Sequence, residues 1–133
     1  QQTIASLAGR HVLLAEDNEF NQKIMRDVLT NQGLRVSIAN NGIECLEMLK
    51  QQDFDLILMD CQMPEMDGYE ATREIRSDQQ YNKLPIIAVS ANAMSEDIEK
   101  SLACGMNGHM SKPVNRDELF NTIAQCLTDA QGR

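Results

Sequence analysis

The side chains able to do chemistry in this chain stand at the ends of short apolar runs. Asp60 closes Leu56-Ile57-Leu58-Met59, and a turn follows it directly, Cys61-Gln62-Met63-Pro64-Glu65-Met66-Asp67-Gly68. Glu16 and Asp17 close Val12-Leu13-Leu14-Ala15, and Ser90 closes Ile86-Ile87-Ala88-Val89. Lys112 follows a fourth short run, Gly108-His109-Met110-Ser111, and precedes Pro113. A carboxylate that ends a buried-looking strand before a Pro/Gly turn belongs at the rim of a sheet, not in its middle. In an open α/β sheet the carboxyl ends of the strands are where ligands collect. Carboxylates gathered there repel, by roughly 4 kcal/mol for two unit charges about 4 Å apart at an effective dielectric of 20. A hard divalent cation with oxygen ligands relieves that repulsion. Acids, a hydroxyl and an amine at one edge therefore suit a divalent metal and a phosphoryl group.

The elements that must position these groups are legible as alternating short runs and helical periods. Phe20, Ile24 and Val28, spaced by four, with Met25 and Leu29 beside them, mark one face of a helix over about 19–32, which Gly33 stops. Val36–Ala39 reads as a second strand and Asn40-Asn41-Gly42 as a turn. Ile43, Leu46 and Leu49 mark a second helix, Leu56–Met59 the third strand, and Ala71 and Ile75 a third helix opening after Asp67-Gly68. Pro85 introduces the fourth strand. Met94, Ile98 and Leu102 follow at helical spacing up to Gly105, and Leu119, Ile123 and Leu127 make a last helix after the short fifth strand. Five two-sidedly apolar strands alternating with five helices predict a parallel sheet covered on both faces.

The totals set outer limits. A length of 133 residues predicts one domain, spanning about 10–127, with flexible ends or connector remnants at 1–9 and 128–133. Net charge of −8 argues against nucleic acid, which is bound through Lys and Arg. No run approaches 18 consecutive apolar residues, so no membrane contact is expected of this domain. Its start lacks the layout of a signal peptide, and the expected location is cytoplasmic, or the cytoplasmic part of a membrane-anchored sensor. Cys45, Cys61, Cys104 and Cys126 form no CxxC pair, so they read as reduced, partly buried thiols.

Together these residues resemble a response-regulator receiver domain of two-component phosphorelays. The matches are Glu16-Asp17, Asp60, Met63-Pro64, Asp67-Gly68, Ser90-Ala91 and Lys112-Pro113, in the family's order and spacing over about residues 10–127. The wording Glu16-Asp17-Asn18-Glu19-Phe20-Asn21-Gln22 and Met59-Asp60-Cys61-Gln62-Met63-Pro64 is most similar to receivers of hybrid sensor histidine kinases. The resemblance implies a flavodoxin-like fold of five parallel strands in order 2-1-3-4-5. It implies that Asp60 takes a phosphoryl group from a phosphohistidine of a histidine kinase or histidine phosphotransfer protein, and loses it slowly by self-hydrolysis. It also implies Mg²⁺ as cofactor, held by Asp17, Asp60 and the main-chain carbonyl of Gln62, with Glu16 acting through a water or at longer reach. Lys112 would hold one phosphoryl oxygen, Ser90 would donate to another, and Pro113 would aim the lysine through a cis bond. Gln62 and Asn92 would tune hydrolysis. Ser90 and His109, which stands at the family's aromatic position, would form the switch, and pairing through the fourth helix would be open to two copies.

Taken singly, each residue also has an ordinary structural reading. Asp17 and Asn18 are good helix caps, Asp67-Gly68 is a turn signal, Ser90 a strand-end hydroxyl, Lys112 a surface lysine and His109 a half-exposed strand residue. Neither histidine lies in a kinase-type helical box, and there is no glycine-rich ATP site, so the chain needs an external donor. The alternative functions are a pseudoreceiver that docks a partner without phosphorylation, a flavin carrier on the same topology, and a small-molecule phosphohydrolase. Glu16-Asp17-Asn18-Glu19 would repel a flavin phosphate, and the presence of Asp17, Asp60 and Lys112 argues against the pseudoreceiver.

Overall fold

The computed structural model describes residues 9–63, 65–90, 95–111 and 115–131, with the side chains of 95–97 and 128–131 outside that description. Five strands alternate with five helices: β1 (His11–Ala15), α1 (Glu19–Asn31), β2 (Arg35–Ala39), α2 (Gly42–Gln51), β3 (Leu56–Asp60), α3 (Gly68–Arg76), β4 (Ile86–Ser90), α4 (Ser95–Cys104), β5 (Gly108–Ser111) and α5 (Arg116–Gln131). A short 3₁₀ turn, Gln79–Tyr81, which the sequence pattern does not reveal, precedes β4. The strands form one parallel sheet in the order β2-β1-β3-β4-β5, as expected.

Strand burial follows from this order. Every residue of the central strands β3 and β4 is buried, whereas the edge strands β2 and β5 are partly exposed. Continuous apolar runs are what a strand needs when helices cover both its faces. Alternate residues feed two cores. Val12, Leu14, Leu56, Leu58, Ile87, Val89 and Met110 pack against Leu29 of α1 and against α5. Leu13, Ala15, Ile57, Met59, Ile86 and Ala88 pack against α2, α3 and Cys104 of α4.

The helix phases differ from the expected ones. In α1 the core contact comes from Leu29, with Met25 and Val28 packed beside it, while Phe20 and Ile24 are 72% and 45% exposed. Ile43 on α2 and Ile98 and Leu102 on α4 also face outward, and Cys45, Ser101 and Cys104 take the buried positions instead. Gly33 and Gly105 end α1 and α4 with φ of 92° and 110°, a conformation that glycine adopts without steric cost.

Candidate functional site

In the order 2-1-3-4-5 the connections diverge between β1 and β3, opening a crevice at the carboxyl ends of those two strands. Glu16 and Asp17 leave β1 at this point, and Asp60 is the last residue of β3. Carboxylate oxygens of Glu16, Asp17 and Asp60 lie within 4.8 Å of one another. Glu16 and Asp60 are only 3% and 5% exposed, and Asp17 stands at the open mouth. At that separation each charged pair would cost roughly 3 to 4 kcal/mol at an effective dielectric near 20. An all-oxygen, partly buried, anionic donor set of this size fits a hard divalent cation such as Mg²⁺.

Local bonds hold the acids in place. The Asp60 Oδ1 accepts from the Gln62 main-chain N–H at 3.0 Å, folding the β3–α3 turn back on the carboxylate. The Glu16 N–H continues the ladder to Ala39 O at 3.0 Å, and Glu16 Oε2 accepts from the Asn18 N–H at 3.1 Å. Asn18 also caps α1, its Oδ1 accepting from the Asn21 N–H, so the capping reading holds for Asn18 while Asp17 joins the acid cluster. Asp67 caps α3, and Gly68 lies against Asp60 so tightly that a Cβ there would sit 2.3 Å from the Asp60 carbonyl oxygen. Cys61, directly after Asp60, has its thiol pKa pushed up by burial; a hydrogen bond with Tyr69 opposes this, and the Asp60 charge adds to it.

Ser90 ends β4, beside β3, and is 6% exposed. Its Oγ lies 3.0 Å from His109 Nε2, so the expected switch pair is in direct contact. The side chain of Gln62 is exposed beside the acids. Lys112, Pro113, Ala91 and Asn92 lie outside the described residues.

Several residues that shape the site were not foreseen. Gln22 and Asn40 bridge α1 to the β2–α2 loop above the acids. Asn41 caps α2 through the Glu44 N–H and donates to Glu65 Oε2 at 2.8 Å. Glu65 adopts a φ of 67°, strained for a residue with a side chain. The caps were readable, since Asn41-x-x-Glu44 and Asp67-x-x-Glu70 both match a helix-start pattern. Gln22 closes the family-like stretch that begins at Glu16, but no local pattern signals the contacts that Gln22 or Glu65 make.

A doubly wound sheet in this order, with an acid cluster at its switch point, defines the receiver class of two-component signalling proteins. The chain belongs to the response regulator receiver domain family, whose model matches residues 12–124. It is 42% identical to the receiver domain of the sensor histidine kinase PA1611 from Pseudomonas aeruginosa, a crystal structure with a magnesium ion coordinated in the active-site cleft. That match covers 90% of this chain and 98% of the other, with a TM-score of 0.84. A complex of the Saccharomyces cerevisiae phosphotransfer protein Ypd1 with the receiver domain of its response regulator Ssk1 matches with 30% identity and a TM-score of 0.85, covering 93% of each chain. Among curated relatives, a probable histidine kinase 2 of Oryza sativa subsp. indica is 38% identical over 88% of this chain, which spans only 13% of that kinase's length. The polar-differentiation response regulator DivK of Brucella anthropi is 37% identical over 91% of this chain and 98% of its own.

Proposed function

We propose that Asp60 is a phosphoacceptor that takes a phosphoryl group from a phosphohistidine in a Mg²⁺-dependent reaction. The observation that supports this is the buried Asp60 carboxylate, held by the Gln62 N–H and clustered with Glu16 and Asp17 at the switch point. Glu16, Asp17 and Asp60, with the Gln62 carbonyl, would hold the cation. When bound, it neutralises charge on the carboxylates and on the transferring group. An Asp60 carboxylate oxygen forms the bond to phosphorus as the P–N bond of the phosphohistidine breaks. The electron pair of that bond returns to the imidazole nitrogen, which is protonated as it leaves. Ser90 would donate to one phosphoryl oxygen and Lys112 would offer a compact cation to another.

Recruiting the Ser90 hydroxyl to the phosphoryl group would break its contact with His109 and release that ring on β5. The change is a shift between two states of one fold. The donor would be a histidine kinase or a histidine phosphotransfer protein, on the cytoplasmic side of the membrane. The Ssk1 receiver solved with Ypd1 supports the choice of donor, as do Phe20 and Ile24, exposed on α1, the helix that follows two of the acids. A place within a hybrid sensor kinase is supported by the likeness to kinase receivers.

The test is incubation with acetyl phosphate and Mg²⁺, read by intact mass. The parent gains one phosphoryl group, while Asp60→Asn and an EDTA-treated sample gain none. Decay of that label, parent against Gln62→Ala and Asn92→Ala, reads their effect on hydrolysis. A folded parent that takes no label would leave the phosphorylation-independent interaction module as the better account.

A further inference from the structure

We infer that Gln22 is a positioning residue that makes the acid cluster selective for Mg²⁺; the inference rests on the cation-dependent reading above. Gln22 lies in the second turn of α1, half-buried, outside the acid cluster itself. Its Nε2 donates to the main-chain carbonyl of Glu16 and, at 2.8 Å, to Asn40 Oδ1. Asn40 is fixed in turn, since its N–H and its Nδ2 both donate to Glu44 Oε1 at 3.0 Å. The amide chain therefore ties the peptide joining Glu16 to Asp17 to the first turn of α2.

That peptide is the hinge between two of the three acids. On its N-terminal side the Glu16 N–H is held by the sheet, and on its C-terminal side Asn18 is held by Glu16 Oε2 and by its cap. Rotation of the peptide between these anchors would swing the Asp17 side chain relative to Glu16 and Asp60. The Gln22 bond to its carbonyl opposes that rotation. Mg²⁺ demands nearly ideal octahedral geometry at about 2.0–2.1 Å, whereas Ca²⁺ accepts flexible arrangements at about 2.3–2.6 Å. A rigid hinge therefore favours Mg²⁺, and a loosened one costs Mg²⁺ more than Ca²⁺. Partners behind metal ligands typically matter by about 10–100-fold in affinity, and a bond to the hinge carbonyl, not to a carboxylate, belongs at the low end.

The test uses Gln22→Met, which keeps side-chain length and helix propensity but removes both donors. Mg²⁺ and Ca²⁺ affinities are measured by calorimetry on the full chain, alongside thermal unfolding of the metal-free protein. Gln22→Met should weaken Mg²⁺ about 10-fold and Ca²⁺ less than about 3-fold. Phosphorylation from acetyl phosphate should require correspondingly more Mg²⁺, with its maximal rate preserved. Asn40→Leu should reproduce the selective loss, and the double variant should add little to it, because the two side chains act as one clamp. Mg²⁺ affinity within twofold of the parent would overturn the inference, as would equal losses for both ions. Failure of the parent itself to bind Mg²⁺ would instead sink the cation-dependent reading.

Discussion

Replacing Gly68 with alanine sets two effects of opposite sign against each other, and the structure decides between them. Gly68 is the first residue of α3, so alanine would by itself favour the helix by up to about 1 kcal/mol. The added Cβ, however, would meet the Asp60 carbonyl oxygen at 2.3 Å, Met59 Cγ at 2.9 Å and the Cys61 Cα at 3.0 Å. Even close carbon–oxygen contacts run to about 3.3 Å, so the main chain at Asp60 must move by roughly 1 Å. Overpacking of this kind costs about 1–3 kcal/mol, which leaves a net destabilisation of up to about 2 kcal/mol once the helix gain is subtracted. The same displacement moves the proposed phosphoacceptor, and misplacement by about 1 Å can cost about 100-fold in rate. Gly108→Ala is the control. Its Cβ would meet Thr122, Cys126 and Ile87 at ordinary contacts of 3.5 to 3.8 Å, and stability should stay within about 0.5 kcal/mol of the parent. Urea unfolding and the rate of labelling by acetyl phosphate at saturating Mg²⁺ measure both quantities. Parental stability and rate in Gly68→Ala would refute the close-approach argument, as would equal damage from Gly108→Ala.

Two further outcomes follow from groups away from the acids, the half-buried Arg76 and the fully buried Cys45. The Arg76 guanidinium donates to Gly105 O at 2.9 Å, Tyr81 O at 2.6 Å and Asn107 Oδ1 at 2.7 Å, joining α3, the 3₁₀ turn and the approach to β5. Arg76→Ala should cost about 2–4 kcal/mol in urea unfolding, and Arg76→Lys should recover little of it, because an ammonium lacks the planar fork. Burial pushes the Cys45 thiol up to about 12, from 9.0 when unfolded. Its contribution is therefore fully present below pH 9 and is lost as pH rises towards 12, since the unfolded chain gives up its proton first. Cys61 and Cys104 are raised by burial as well. Unfolding free energy should fall by something on the order of 2 kcal/mol between about pH 9 and 10.5 from Cys45 alone, and the fall should be shallower in Cys45→Ala.

Five strands and five helices were readable because each is a local repeat, and their boundaries agree with the structure to within a residue or two at most of the described ends. The acids at the ends of β1 and β3 were readable for the same reason, since a polar residue closing an apolar run is a local signal. Helix phase was harder. Periodicity reports the spacing of apolar residues but not which of two neighbouring stripes is buried, and Phe20 and Ile24 ended up outside while Met25, Val28 and Leu29 went inward.

Residue type and spacing alone determined that acids and a hydroxyl would stand at strand ends, and the family's motifs were sufficient to identify the class. Only the tertiary structure decided that Glu16, Asp17 and Asp60 share one pocket, that Ser90 touches His109, and that Gln22 and Asn40 brace the hinge between two of the acids. Apart from the neighbours Glu16 and Asp17 and the short reach from Gln22 to Glu16, those contacts join residues 18 or more positions apart. They depend on strand order and register, which the whole packed sheet sets and no local stretch of sequence encodes.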